Sequence, residues 1–160
     1  MDSVEQSEFR DSLARWASGV TVVTARHGGE PVGMTAASFS SLSLDPPLVL
    51  VCIADSAYSR DGLVSAPGFA VHVLGAEQAE MSAVFSRPGV DKFATYSSEE
   101  GPFGAPLLPF GVARMVCAHH AALPGGDHTI LVGRVVATEL AGTDPLLYCN
   151  RGYGRLSAAT

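Results

Sequence analysis

Gly33-Met34-Thr35-Ala36-Ala37-Ser38-Phe39-Ser40-Ser41-Leu42-Ser43-Leu44-Asp45-Pro46-Pro47-Leu48-Val49-Leu50-Val51-Cys52 changes character twice along its length. Four serines and one threonine lie between Thr35 and Ser43, a double proline follows, and the rest is apolar. The hydroxylated part is a poor core and reads as a loop. It either satisfies its own backbone through local Ser and Thr bonds or lines a groove with hydroxyls and open peptide groups. Ala36 and Ala37 would let a planar group approach the main chain. Leu48 to Ile53 reads as a buried strand, apolar on both faces.

Working outward, Val20 to Ala25 is a β-branched strand, and His27-Gly28-Gly29-Glu30-Pro31 is a turn into a second strand, Val32 to Ala36. Upstream, Ser7 resembles an N-cap, and Phe9, Leu13 and Trp16 fall on one face of a helix ended by Gly19. Downstream, Ser59 to Val64 is a short helical turn and Phe69 to Leu74 a strand. Phe69, Val71 and Val73 share one face of it, and His72 lies on the other. Ala76 to Phe85 reads as a helix, and Pro88 to Pro109 as a long surface excursion. Gly111–Ala122, His128–Glu139 and Pro145–Tyr148 are strand-like. Many strands, few short helices and no regular β–α alternation predict a mainly β, antiparallel, closed or nearly closed barrel with peripheral helices. Residues 1–160 read as one domain.

Composition narrows the function. The chain is 47% hydrophobic and only 16% charged, which suggests that a partner subunit covers apolar surface and predicts a homodimer. The net charge of −6 and the single lysine, Lys92, leave no basic face for nucleic acid. No apolar run is long enough for a membrane-spanning helix. The start is acidic rather than signal-like, and Cys52, Cys117 and Cys149 form no Cys-x-x-Cys pair. Both features point to a cytoplasmic protein with reduced thiols. There is no P-loop, no G-x-G-x-x-G and no G-x-S-x-G elbow. His119 and His120 would point to opposite faces of a strand, and no metal-ligand set is expected.

Taken together, several segments resemble the flavin reductase family. They are Gly-Val-x-Val-Val-Thr (Gly19–Thr24), the Gly33–Val49 run, Phe69-Ala70-Val71 with Val73-Leu74, and Asp91-Lys92-Phe93. Gly126-Asp127-His128-Thr129-Ile130-Leu131-Val132-Gly133, Pro145–Tyr148 and Arg151-Gly152-Tyr153 follow in the family's order. The resemblance runs from about Phe9 to Leu156. It implies an FMN-binding split barrel that reduces FMN or FAD with NADH (or NADPH) and supplies reduced flavin to a partner monooxygenase. The alternative is a flavin- or haem-binding barrel without turnover.

The same resemblance assigns residues. Met34, Thr35, Ala36, Ala37, Ser38, Ser40 and Ser41 would contact the flavin ring edge and ribityl phosphate, with Cys52, Ile53 and Ala54 bordering the ring. Ser59 and Arg60 would help hold the phosphate, and Lys92 with Phe93 would form a pair contacting the phosphate or the ring. His128, oriented by Asp127, would seat the nicotinamide, while Arg151, Gly152, Tyr153 and Arg155 would hold the dinucleotide. His72 stands where the family commonly has Asn and receives no role.

Overall fold

The computed structural model describes residues 3–157. Its centre is a seven-stranded antiparallel sheet built from β2 (Thr21–His27), β3 (Glu30–Ala36), β4 (Phe39–Leu44), β5 (Pro47–Ala54), β6 (Gly68–Val73), β9 (Ala113–Gly125) and β10 (His128–Leu140). Their order is β3-β2-β6-β9-β10-β5-β4. The two edge strands, β3 and β4, are consecutive in the chain, so the sheet curls until its edges meet at Ala37-Ser38. No ladder closes that seam among the described residues, and the barrel is split there.

Two smaller sheets flank the barrel. One joins β1 (Ser18–Gly19), β11 (Leu147–Cys149) and β12 (Gly152–Gly154); the other pairs β7 (Glu99–Glu100) with β8 (Pro106–Leu107). Four short helices complete the fold: α1 (Gln6–Ala14), α2 (Arg60–Ser65), α3 (Ala79–Ser86) and α4 (Lys92–Thr95).

The interior holds two apolar clusters. Val23, Val51, Ile53, Phe69, Val71 and Leu131 fill the barrel, while Val20, Val22, Leu74, Met81, Phe85 and Leu146 pack α3 against its outside. At Gly133 a side chain would strike the Phe69 ring, its Cβ falling 2.4 Å from Cζ, so only glycine lets that ring sit in the core.

Several expectations are corrected. The serine-rich stretch is not a loop: from Phe39 it is edge strand β4, paired with β5. Strand β5 is not buried on both faces; Val49, Val51 and Ile53 point into the core, whereas Leu48, Leu50 and Cys52 are only partly covered. Helix α1 begins after Glu5 and ends at Arg15 rather than running from Ser7 to Gly19. Its Phe9 and Leu13 are exposed, as is Trp16 just beyond it, because nothing among the described residues covers that face. Nor is residues 88–109 entirely a surface excursion, since Ala105 and Leu108 are fully buried. Leu108 is fixed from below by His72, whose Nδ1 donates to the Val22 carbonyl (3.0 Å) while Nε2 accepts from the Leu108 N–H (3.0 Å). Burial makes His72 a neutral core residue, its pKa pushed down to about 4, with the Arg114 charge adding to the effect and the Val22 bond opposing it.

Candidate active site

Strand β3 has a ladder partner along one edge only, β2, so alternate peptide groups on its other edge face outward. A groove of three adjoining hollows, which share wall residues, runs along that free edge. The middle one, about 300 Å³, is lined by Met34, Thr35, Ser56, Ser59, Arg87 and Lys92. Past Thr35 and Ser86 it meets a hollow of about 290 Å³ walled by Val20, Ala37, Ser82, Tyr148 and Tyr153. Past Gly33, Ser59 and Lys92 it meets a third of about 320 Å³.

Hydrogen bonds to protein carbonyls hold the walls. The Lys92 ammonium donates to the Gly33 carbonyl (2.8 Å) and to the Phe85 carbonyl (2.9 Å), tying the end of α3 to β3. Ser59 Oγ donates to the same Gly33 oxygen at 3.0 Å, and Thr35 Oγ1 to the Ser82 carbonyl at 2.6 Å. Tyr153 Oη reaches Ser82 Oγ at 2.8 Å, and its ring meets Tyr148 edge-on with centroids 5.6 Å apart. Burial lowers the Lys92 pKa. An ammonium carries three protons, and two are committed, so one remains to face the groove. A cation, the Ser56 hydroxyl and open edge peptides in the middle, with small residues and two tyrosines at one end, fit a phosphorylated group bearing a planar ring.

The other residues singled out in the sequence are placed as follows. Ser38 clasps β5, its Oγ donating to the Cys52 carbonyl (2.7 Å) and accepting from the Cys52 N–H (3.2 Å). Ser40 donates to the Ser41 carbonyl at 3.1 Å. The Ala36 and Ile53 side chains belong to the barrel core, so only their main chain could meet a ligand. Phe93 packs edge-on against Phe85, 5.5 Å between centroids, and also lines the third hollow. Arg60 donates to Thr129 Oγ1 (2.9 Å) and to Asp61 (2.8 Å), and Thr129 Oγ1 donates to Asp55 (2.7 Å). Its guanidinium is thereby held in a polar network rather than in the middle hollow. Arg87 and Ser56, which do line that hollow, escape a sequence reading. The one available signal is an arginine at the end of α3, directly before Pro88-Gly89.

Asp127 and His128 form a separate corner. Gly126, with φ of 77°, and Asp127 make the two-residue turn between β9 and β10. His128 then pairs with Ala54 at the end of β5, and the Asp55 N–H donates to the Asp127 carbonyl (3.0 Å). Asp127 and His128 side chains lie 2.7 Å apart, Oδ1 to Nδ1. That bond, aided more weakly by the Arg10 charge, holds the Asp127 carboxyl below its ordinary range. The same strand end leads through Asp55 to Ser56, which lines the middle hollow, while neither Asp127 nor His128 lines any of the three hollows. At the C-terminal hairpin, Asn150 and Arg151 occupy the left-handed turn, and Gly152 pairs with Cys149. Arg151 is bonded to Asp11 and Arg155 to Glu77.

Residues 13–157 match the family model described as "Flavin reductase like domain". The chain belongs to the flavin reductase-like family. A "Probable flavin reductase" of Rhizobium meliloti is 43% identical over 91% of this chain, which spans only 47% of that relative's length. The "FMN reductase (NADH)" of Agrobacterium fabrum is 43% identical over 93% of this chain and 85% of its own length. Among solved structures, the NADH:FAD oxidoreductase of Streptomyces globisporus, in complex with NAD and FAD fragments, superposes with a TM-score of 0.90. It is 37% identical, covering 99% of this chain and 98% of that one. Membership in the flavin reductase-like family agrees with the split barrel and with the groove along β3.

Proposed function

We propose that this flavin reductase-like chain reduces free FMN or FAD with NADH, in preference to NADPH, and passes the reduced flavin to a partner monooxygenase. The observation that carries the reading is the Lys92 ammonium, anchored on Gly33 and Phe85 at the wall of a groove that ends in small residues and two tyrosines. Hydride passes from nicotinamide to flavin, so the two bound molecules carry the chemistry and the protein aligns them.

The chain's own residues supply that alignment. Lys92, with Arg87 and Ser56, meets the phosphate. The free edge of β3 around Thr35–Ala37 offers peptide groups to the ring's polar rim. Asp127 holds the His128 imidazole by Nδ1, leaving Nε2 to point a single donor or acceptor at the nicotinamide amide. Relatives named as NADH-dependent FMN and FAD reductases, and as reductase components of monooxygenases, support turnover and a partner oxygenase over a purely binding role. The uncovered apolar face at Phe9, Leu13 and Trp16 supports a homodimer, and three free thiols support a cytoplasmic setting. Loss of NADH absorbance that depends on added flavin tests the reading. Oxidation at the spontaneous rate with both flavins and both nicotinamides would sink it.

A further inference from the structure

The groove is longer than a mononucleotide needs. A ring at the tyrosine end and a phosphate in the cationic middle fill two of the three hollows, and each hollow is near the lower limit for a small-molecule pocket. The third hollow lies beyond the phosphate position. Tyr58, Val32 and Val90 provide its apolar surface, and Glu30 and Asp91 bring carboxylates. Tyr58 also lines the middle hollow and is 84% exposed, an aromatic face that the rest of the chain leaves uncovered. Asp91 uses Oδ1 to cap α4 through the Ala94 N–H (3.0 Å), which leaves its second oxygen to accept.

We infer that this third hollow receives the adenosine half of FAD, so that FAD rather than FMN is the flavin this chain binds more tightly. Lys92 lies at the junction of the two hollows, where a pyrophosphate would pass. Beyond it the ribose diol meets acceptors, since carboxylates take hydrogen bonds from sugar hydroxyls. The purine then stacks on Tyr58, an interaction that tolerates any base but requires the ring face. FMN has no atom that reaches this hollow. The inference rests on the flavin reading of the groove and adds its substrate preference.

Equilibrium dialysis of the purified chain against FMN and against FAD, read by flavin absorbance, tests it without turnover. The wild type should bind FAD more tightly than FMN. Val90→Trp, which fills the hollow, should weaken FAD about tenfold and leave FMN within about twofold. Tyr58→Ser should lower the FAD-to-FMN affinity ratio about tenfold whatever its effect on FMN. Equal wild-type affinities, or variants that move both flavins together or neither, would overturn the subsite while leaving the flavin site standing. Absence of binding by either flavin to the wild type would overturn the flavin reading itself, and the subsite with it.

Discussion

His72 and His128 are the same residue in opposite settings. His72 is fully buried on β6, and each ring nitrogen has a backbone partner. His128 opens β10 at the barrel rim, its side chain 43% exposed and, among the described residues, bonded through Nδ1 to Asp127 alone. Two fixed nitrogens and no water make a histidine a structural bridge, here between β2 and the segment carrying Leu108. One fixed nitrogen and one open to solvent make it available to a ligand. Residue type carries none of this; burial and the count of partners decide it.

The largest effect expected from breaking this contrast is at His72. Replacement by Ala removes the ring and strands the Leu108 N–H, and should cost about 3 kcal/mol in denaturant unfolding. The wild type should also lose stability in acid. Its imidazole titrates near 6.5 when unfolded and about 4 when folded, so protons bind the unfolded chain first. Stability is full above about pH 6.5 and falls by about 3 kcal/mol as pH drops toward 4. His72→Asn, unable to titrate, should flatten that slope in unfolding curves measured across the same range.

Next comes Lys92→Met, which leaves the Gly33 and Phe85 carbonyls without their shared cation. It should cost about 2 kcal/mol of stability and also weaken FMN binding, both measurable on one purified variant. An unchanged unfolding midpoint would show that the ammonium does not hold α3 to β3. His128→Ala should leave stability alone and raise KM for NADH about tenfold with little change in flavin affinity. A rise confined to flavin affinity would remove His128 from the nicotinamide. The smallest effect belongs to Arg151→Ala. Its pair with Asp11 is exposed on both sides, so stability should fall by less than about 1 kcal/mol.

Much of the barrel was legible because its strands repeat simple physics. The β-branched run at Val20–Ala25, the alternation around His72 and the Gly28-Gly29 turn each announce themselves locally. The misplaced pieces failed for equally specific reasons. Ser38 to Ser43 looks like a loop because its hydroxyls could bond locally, yet pairing with β5 recruits it as an edge strand. Phe9, Leu13 and Trp16 have the spacing of a buried face, and nothing among the described residues covers them. Arg60 and Arg87 could not be ranked from sequence. One is drawn into the Asp55–Thr129 network, and the other stands at the rim of the hollow.

By itself, the sequence determined the family and the mainly β fold. These are properties of pattern and order, and they survive without coordinates. Only the tertiary structure decided what each polar group does there. A hydroxyl or an ammonium bonds whatever the fold brings within about 3 Å. For Thr35, Ser38 and Ser59 that partner is a protein carbonyl, while Lys92 keeps one proton for the groove.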